Sequence, residues 1–205
     1  MSDKNRKAHW EKVYATKEAH EVSWTQELPA TSLHFIHEFN LKHEDAIIDI
    51  GGGDSKFVDY LLEEGYTNIS VLDISKHAIE KAKSRLGEKA KQVHWIISDI
   101  NDFEPQQYYC CWHDRATFHF LNEVHEIEHY LGIARKAVRG YMAMGTFSDK
   151  GPDRCSMLKV HRYTENELAA QLSNGFEKIH CVTEDHITPF QTVQNFLFCS
   201  FKRSA

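Results

Sequence analysis

The hydrophobic pattern of this chain changes period repeatedly along its length. Residues 45–50 (DAIIDI) form a short apolar run that ends in glycines, as a buried parallel strand does. From Ser55 to Glu64 the apolar positions Phe57, Val58, Leu61 and Leu62 recur at helical spacing, and Gly65 stands where a helix would stop. A second strand is predicted at residues 68–72 (NISVL). A helix follows, capped by Ser75, carrying Ala78, Ile79, Ala82 and Leu86, and ended by Gly87. Residues 93–97 (VHWII) and 108–112 (YYCCW) read as strands three and four. Val124, Ile127, Leu131, Ala134 and Val138 mark a long amphipathic helix, and residues 141–147 (YMAMGTF) a fifth strand. Thr164 and Glu167 form a capping box that opens a helix through Leu168 and Leu172. The last two runs, 176–182 and 193–201, are both strand-like and predict a hairpin. This alternation predicts an open α/β sheet, mostly parallel, with an antiparallel edge.

The first forty residues do not follow the alternation. They mix charge with Trp10, Tyr14 and Trp24 at irregular spacing, and read as one or two helices packed on the main body. The expected division is a helical cap at 1–40 and a ligand-binding domain at 41–205, without repeats or a linker.

Composition narrows the class. At 205 residues, with 41% hydrophobic and 26% charged residues, the chain is an ordinary globular one. Its net charge of -6 makes a nucleic-acid partner an unfavoured expectation. No apolar run approaches the roughly 20 residues a membrane span needs. The charged N-terminus lacks a secretory h-region, so the expected location is the cytoplasm. The five cysteines contain no C-x-x-C pair and read as reduced thiols, with Cys110 and Cys111 packed in a strand. No metal site is expected: His125 and His129 share a helix face, but Glu126 and Glu128 flank them on what reads as a solvated surface.

In open α/β sheets ligands sit at the carboxyl ends of the strands. Strand one leads into Asp49-Ile-Gly-Gly-Gly-Asp-Ser55, where Gly51, Gly52 and Gly53 permit a tight turn close to a ligand. The third glycine of a dinucleotide fingerprint is replaced by Lys56, which argues against NAD or FAD, and no P-loop is present. Strand two ends at Asp73, a carboxylate suited to both hydroxyls of a ribose, with Ile74 beside it. Asp99 and Ile100 follow strand three and suit an adenine amine and ring face. His113-Asp114-Arg115 follows strand four, and titratable groups at such a place point to a site.

These residues together resemble the class I S-adenosylmethionine-dependent methyltransferases. The resemblance extends over almost the whole chain and implies a Rossmann-like, doubly wound, seven-stranded sheet with an antiparallel C-terminal strand. It implies a cofactor site built from Trp24, Asp49, Gly51, Gly52, Gly53, Ser55, Asp73, Ile74, Asp99, Ile100 and Asp114. More narrowly, W-H-D-R-A-x-F-H-F-L at 112–121 and G-T-F-x-x-x-G-P-x-x-C-S at 145–156 resemble a bacterial group similar to the lysine methyltransferases of citrate synthase and elongation factor. The implied reaction is methyl transfer to a protein lysine or a small molecule. His113, Asp114 and His119 are the expected groups to accept a proton or orient the acceptor. Two other readings remain open on the residues alone: a module that binds the cofactor without turnover, and a nicotinamide-dependent oxidoreductase.

Overall fold

The computed structural model describes residues 3–204. After an N-terminal helix α1 (Asp3–Thr16) and a second helix α2 (Ala30–Glu38), strands and helices alternate: β1 (Ile47–Ile50), α3 (Phe57–Glu63), β2 (Ile69–Asp73), α4 (Lys76–Leu86), β3 (Val93–Ile97), β4 (Tyr109–Arg115), α5 (Val124–Ala137) and β5 (Val138–Phe147). A small hairpin, β6 (Arg154–Cys155) and β7 (Leu158–Lys159), precedes α6 (Glu165–Leu172), β8 (Phe176–Ile187) and β9 (Val193–Arg203). The main sheet has seven strands in the order β3-β2-β1-β4-β5-β9-β8.

Strands β1 to β5 are parallel, β9 runs antiparallel to β5, and β8 antiparallel to β9. The antiparallel strand is therefore interior, not the edge expected from the chain order. The edge strand β8 runs the same way as β5, because β9 inserts between them. The strand order reverses at β1 and β4, which places a crevice where their carboxyl ends part.

Period-two alternation sorts the strand residues onto two faces. Ile48, Ile50, Trp112, Met142 and Met144 pack with α5 and α6 through Tyr130, Leu131, Leu168 and Leu172. Ile47, Ile69, Val71, Cys111 and Ala143 pack on the other side with Leu33, Phe35 and Ile36 of α2 and Phe57, Val58 and Leu61 of α3. Full burial of each such side chain contributes about 1.5–3 kcal/mol. Helix α2 thus belongs to a packing layer of the sheet, whereas α1 lies over the strand ends against α4. Within residues 3–40, α1 is thus a cover helix and α2 a sheet-packing helix.

Local signals hold where the side chain itself makes the bond. Ser75 Oγ accepts from Ala78 N at the start of α4, and Thr164 and Glu167 exchange the bonds of a capping box at α6. Boundaries move where packing decides. Strand β4 continues to Arg115, so His113 and Asp114 lie inside it, and Val138 begins β5 where helix was expected. Glu126, expected on a solvated face, is buried beside Arg6 of α1.

The cysteines correct one expectation. Cys181 and Cys199 lie directly opposite each other on β8 and β9 and form a disulfide. Cys110, Cys111 and Cys155 are free, and Cys111 is buried in the core. Strand register created this pair, and register is not visible in cysteine spacing. No helix among the described residues is long and apolar enough to cross a membrane.

Candidate functional site

The carboxyl ends of β1, β2 and β4 and the segment after β3 open into a cleft of about 670 Å³, roofed by α1 and the segment that follows it. That volume lies within the range of small-molecule and cofactor sites.

The floor is the glycine turn. Gly51 and Gly53 have φ of 65° and 49°, the left-handed region that glycine reaches without strain. Neither position has room for a side chain. A Cβ on Gly51 would meet Thr117 Oγ1 at 1.8 Å, and one on Gly53 would lie 2.9 Å from both Asp73 Oδ2 and the Tyr14 hydroxyl. The Asp49 carboxylate supports the turn from below: a Cβ on Gly52 would come within 2.4 Å of its Oδ2. Outside the turn, Arg85 of α4 binds Asp54, donates to Asp59 at 2.8 Å and donates to the carbonyl of Ser55. This clamp was not visible in the sequence, because it joins residues about thirty apart.

Asp73 ends β2 at the cleft wall and is 5% exposed. Burial, with Asp49 and Glu11 nearby, pushes its carboxyl up to about 7, although the N–H groups of Ser75 and Gly53 pull the other way. Asp99 follows β3; its Oδ1 accepts from Asn101 N, and Arg6 reaches from α1 to within 3.5 Å of its Oδ2. Ile74 and Ile100 line the cleft beside these carboxylates. The roof is pinned by Glu11, which accepts from Ser75 Oγ, Lys76 N and His77 N and bonds the His77 ring at 2.7 Å. Burial works against the charge of Glu11, but His77, Lys76 and Ser75 prevail and hold its carboxyl down at about 2. Trp10 packs edge-on against Trp24 and Phe120, and Tyr14 packs against Trp24, which closes the roof with aromatic rings.

Of the residues expected to hold a cofactor, Trp24, Asp49, Gly51, Gly52, Ser55, Asp73, Ile74, Asp99 and Ile100 line the cleft, and Gly53 shapes the turn. Asp114 is not brought there. It is fully buried, its Oδ1 accepts from Thr117 N and Phe118 N, and its Oδ2 accepts from the Tyr130 hydroxyl at 2.7 Å. Burial lifts its carboxyl to about 6 against those bonds. It shapes the turn after β4.

The three residues expected to handle a proton are similarly dispersed. His113 lines the cleft but both ring nitrogens are engaged, Nδ1 with Asp49 Oδ1 at 2.6 Å and Nε2 with Ser32 Oγ at 2.8 Å. His119 is buried outside the cleft, and its Nδ1 accepts from Phe147 N. Burial and the Arg115 charge hold its imidazole down at about 3, so it stays neutral. Cys155 faces the cleft as a buried thiol, and burial pushes it up to about 11.

Arg115, the last residue of β4, lines the far end of the cleft; the sequence marked it only as one of three titratable residues after strand four and assigned it no role. Its Nη1 donates to the Trp24 carbonyl at 2.9 Å, and its guanidinium lies over the Phe196 ring at 4.7 Å. Nε and Nη2 are buried without a hydrogen-bond partner among the described residues. Burial lowers its pKa to about 10, which leaves it cationic at neutral pH.

The residues present fit S-adenosylmethionine. A glycine turn with no side-chain room, a buried carboxylate at the end of β2 and a second after β3 are groups able to receive a nucleoside with a charged tail. Fold and cleft together define an α/β protein of the nucleoside-cofactor-binding, methyltransferase type. Residues 41–197 match the model of a family described as a methyltransferase domain, and the chain belongs to that family. It is 26% identical over 117 residues to malonyl-[acyl-carrier protein] O-methyltransferase 1 of Ilyobacter polytropus, a match covering 57% of this chain and 42% of that relative. The chain thus spans under half the length of that curated relative. Among solved structures, a SAM-dependent methyltransferase from Anabaena variabilis superimposes with a TM-score of 0.76 at 14% identity, covering 98% of this chain and 94% of that one. A 1,6-didemethyltoxoflavin-N1-methyltransferase from Burkholderia thailandensis gives 0.70 at 15% identity, covering 100% and 92%.

Proposed function

We propose that this protein transfers a methyl group from S-adenosylmethionine to a small or carrier-bound acceptor. The observation that carries the reading is the continuity of the cleft: it runs from Asp99 and Asp73, past the glycine turn, to Arg115 and Cys155. One end suits a nucleoside and the other leaves room for a second molecule. Asp73 would take the ribose hydroxyls, Asp99 and Ile100 the adenine, and the Gly51–Gly53 turn the amino-acid tail. Bound there, the cofactor supplies a sulfonium-activated methyl group. The chain's own contribution is to hold the acceptor in line at near-attack distance and to exclude water. Trp10, Trp24 and Phe120 supply that exclusion, and their ring faces favour a cation beside them.

His113, engaged at both nitrogens, is a positioning residue for Asp49 in this account. Asp114 supports the turn after β4, and His119 stays neutral within the core. No proton relay from the acceptor is required when the attacking atom is already deprotonated at neutral pH.

A small or carrier-bound acceptor draws support from the malonyl-carrier and didemethyltoxoflavin relatives. A protein lysine is the second reading, supported by the segments at 112–121 and 145–156. The nicotinamide alternative is disfavoured by Lys56, whose ammonium pairs with Glu27 where a third glycine would stand. Incubation with methyl-labelled cofactor and a cell extract, followed by size separation, tests the assignment. Label in small molecules or on a carrier is the expected result. Label on protein lysines would favour the second reading, and no transfer by protein that binds the cofactor would favour a non-catalytic module.

A further inference from the structure

A partly buried guanidinium whose innermost donors are unused calls for a partner. Arg115 places two nitrogens, Nε and Nη2, in the interior without any hydrogen bond among the described residues. Buried polar groups are rarely left so, and an arginine fork left open costs more than a neutral group. The carboxylates nearest to it are otherwise engaged. Asp49 is bonded to His113, and Glu184 accepts from Gln26 at 3.0 Å and from Thr31. Arg115 makes no salt bridge with either. One face of the guanidinium is covered by Phe196 and one nitrogen is fixed by Trp24, so its orientation is set before any ligand arrives.

We propose that Arg115 recognises a carboxylate on the methyl acceptor. This deepens the reading above and rests on it. A planar fork with two free donors matches a carboxylate held by two parallel bonds, which an ammonium point charge cannot reproduce. Two carboxylates compete for it, the acceptor's and that of the cofactor's tail at the neighbouring glycine turn, and the side toward which Arg115 leans favours the first. The nucleoside end of the cleft is built by β1, β2 and the segment after β3. Arg115 stands on the opposite side of β1, against Phe196 of β9 and in the field of Cys155 in the 154–159 hairpin. That side is the one the cofactor leaves to the second molecule, and the test below separates the two carboxylates. A lysine acceptor would bring a cation toward an unpaired cation.

The test uses the intact protein, S-adenosylhomocysteine as the cofactor product, methylthioadenosine as the same nucleoside without its amino-acid tail, and malonate as a bare carboxylate probe. Arg115→Gln and Arg115→Lys are compared with wild type after circular dichroism confirms their fold. Calorimetry is expected to show S-adenosylhomocysteine binding all three proteins within about threefold. Malonate should bind the wild-type complex, at least tenfold more weakly the Arg115→Gln complex, and with intermediate strength the Arg115→Lys complex. Propylamine should not bind. If Arg115→Gln does not fold, the Arg115→Lys comparison is read in the same way. A tenfold loss of S-adenosylhomocysteine with methylthioadenosine unaffected would assign Arg115 to the cofactor's carboxylate and overturn the proposal. Malonate binding that is absent from wild type, or equal in the variants, would overturn it too. Wild type that ignores S-adenosylhomocysteine contradicts the cofactor reading itself, which malonate failure alone does not.

Discussion

His113 and Asp49 are bonded at 2.6 Å between Nδ1 and Oδ1, on adjacent parallel strands whose register sets them side by side. Both side chains are almost completely buried, and the far nitrogen of the imidazole reaches Ser32 of α2. The other Asp49 oxygen lies beneath Gly52, so the bond transmits the position of β4 to the glycine turn. Replacing His113 by Ala would leave Asp49 buried without its partner. Leaving a buried hydrogen-bonding group without its partner costs about 1–3 kcal/mol. The expected outcome is a lower urea midpoint together with weaker S-adenosylhomocysteine binding. Unchanged affinity with lowered stability would confine the pair to a folding role.

Asp73 gives binding a pH dependence. Its carboxyl titrates at about 7 in the free protein. If the ionised form accepts the ribose hydroxyls, affinity for S-adenosylhomocysteine rises with pH up to about 7 and then levels. Asp73→Asn should weaken binding by about tenfold or more and remove that dependence. The stability effect has the opposite sign. A carboxyl raised from 3.8 to about 7 favours the folded state at low pH, and that stabilisation is lost as pH rises through about 7. The free Asp73→Asn protein should therefore gain melting temperature relative to wild type between pH 4 and pH 7, and hold that gain above it.

Much of this site was legible because its signals are local. The turn at 51–53 follows a strand and opens a helix, and Asp73 and Asp99 come just after apolar runs, so position alone exposed them. The positions that misled depend on contacts between distant residues. Asp114 and His119 look reactive in a row of titratable groups, yet Tyr130 and Phe147 absorb them into the interior. Arg6, Glu11 and Arg85 look like ordinary surface charges, yet each crosses at least 26 residues of sequence to hold the roof or the turn. The Cys181–Cys199 pair and the interior place of β9 follow from strand register, which no spacing records.

The roof must move for ligand exchange, and Glu11 is its main fastening to α4. Carboxylates at a helix N-terminus are favoured by its free N–H groups and dipole. Glu11→Gln should speed amide exchange over residues 3–16 and raise the dissociation rate of S-adenosylhomocysteine. With a carboxyl depressed to about 2, the stabilisation from Glu11 is complete above its ordinary value of 4.5 and is lost as pH falls toward 2. The wild-type roof should accordingly loosen in acid, and the Glu11→Gln roof should show no such change.

The disulfide closes a loop with a sequence separation of 18 at the β8–β9 end of the sheet. Bridges over loops of that size stabilise by about 3 kcal/mol. Cys181→Ser is expected to lower the melting temperature by several degrees, with little change in S-adenosylhomocysteine affinity, since neither cysteine lines the cleft. Reduction of wild type by dithiothreitol should reproduce the shift and leave the Cys181→Ser melting point where it is.

Calorimetric titration of the folded protein with S-adenosylhomocysteine, with NAD in parallel, tests the central claim most directly. The account predicts one site per chain at micromolar strength or better, at least tenfold weaker binding by Asp73→Asn, and no response to NAD. Absence of heat with S-adenosylhomocysteine, or a response to NAD alone, would contradict it.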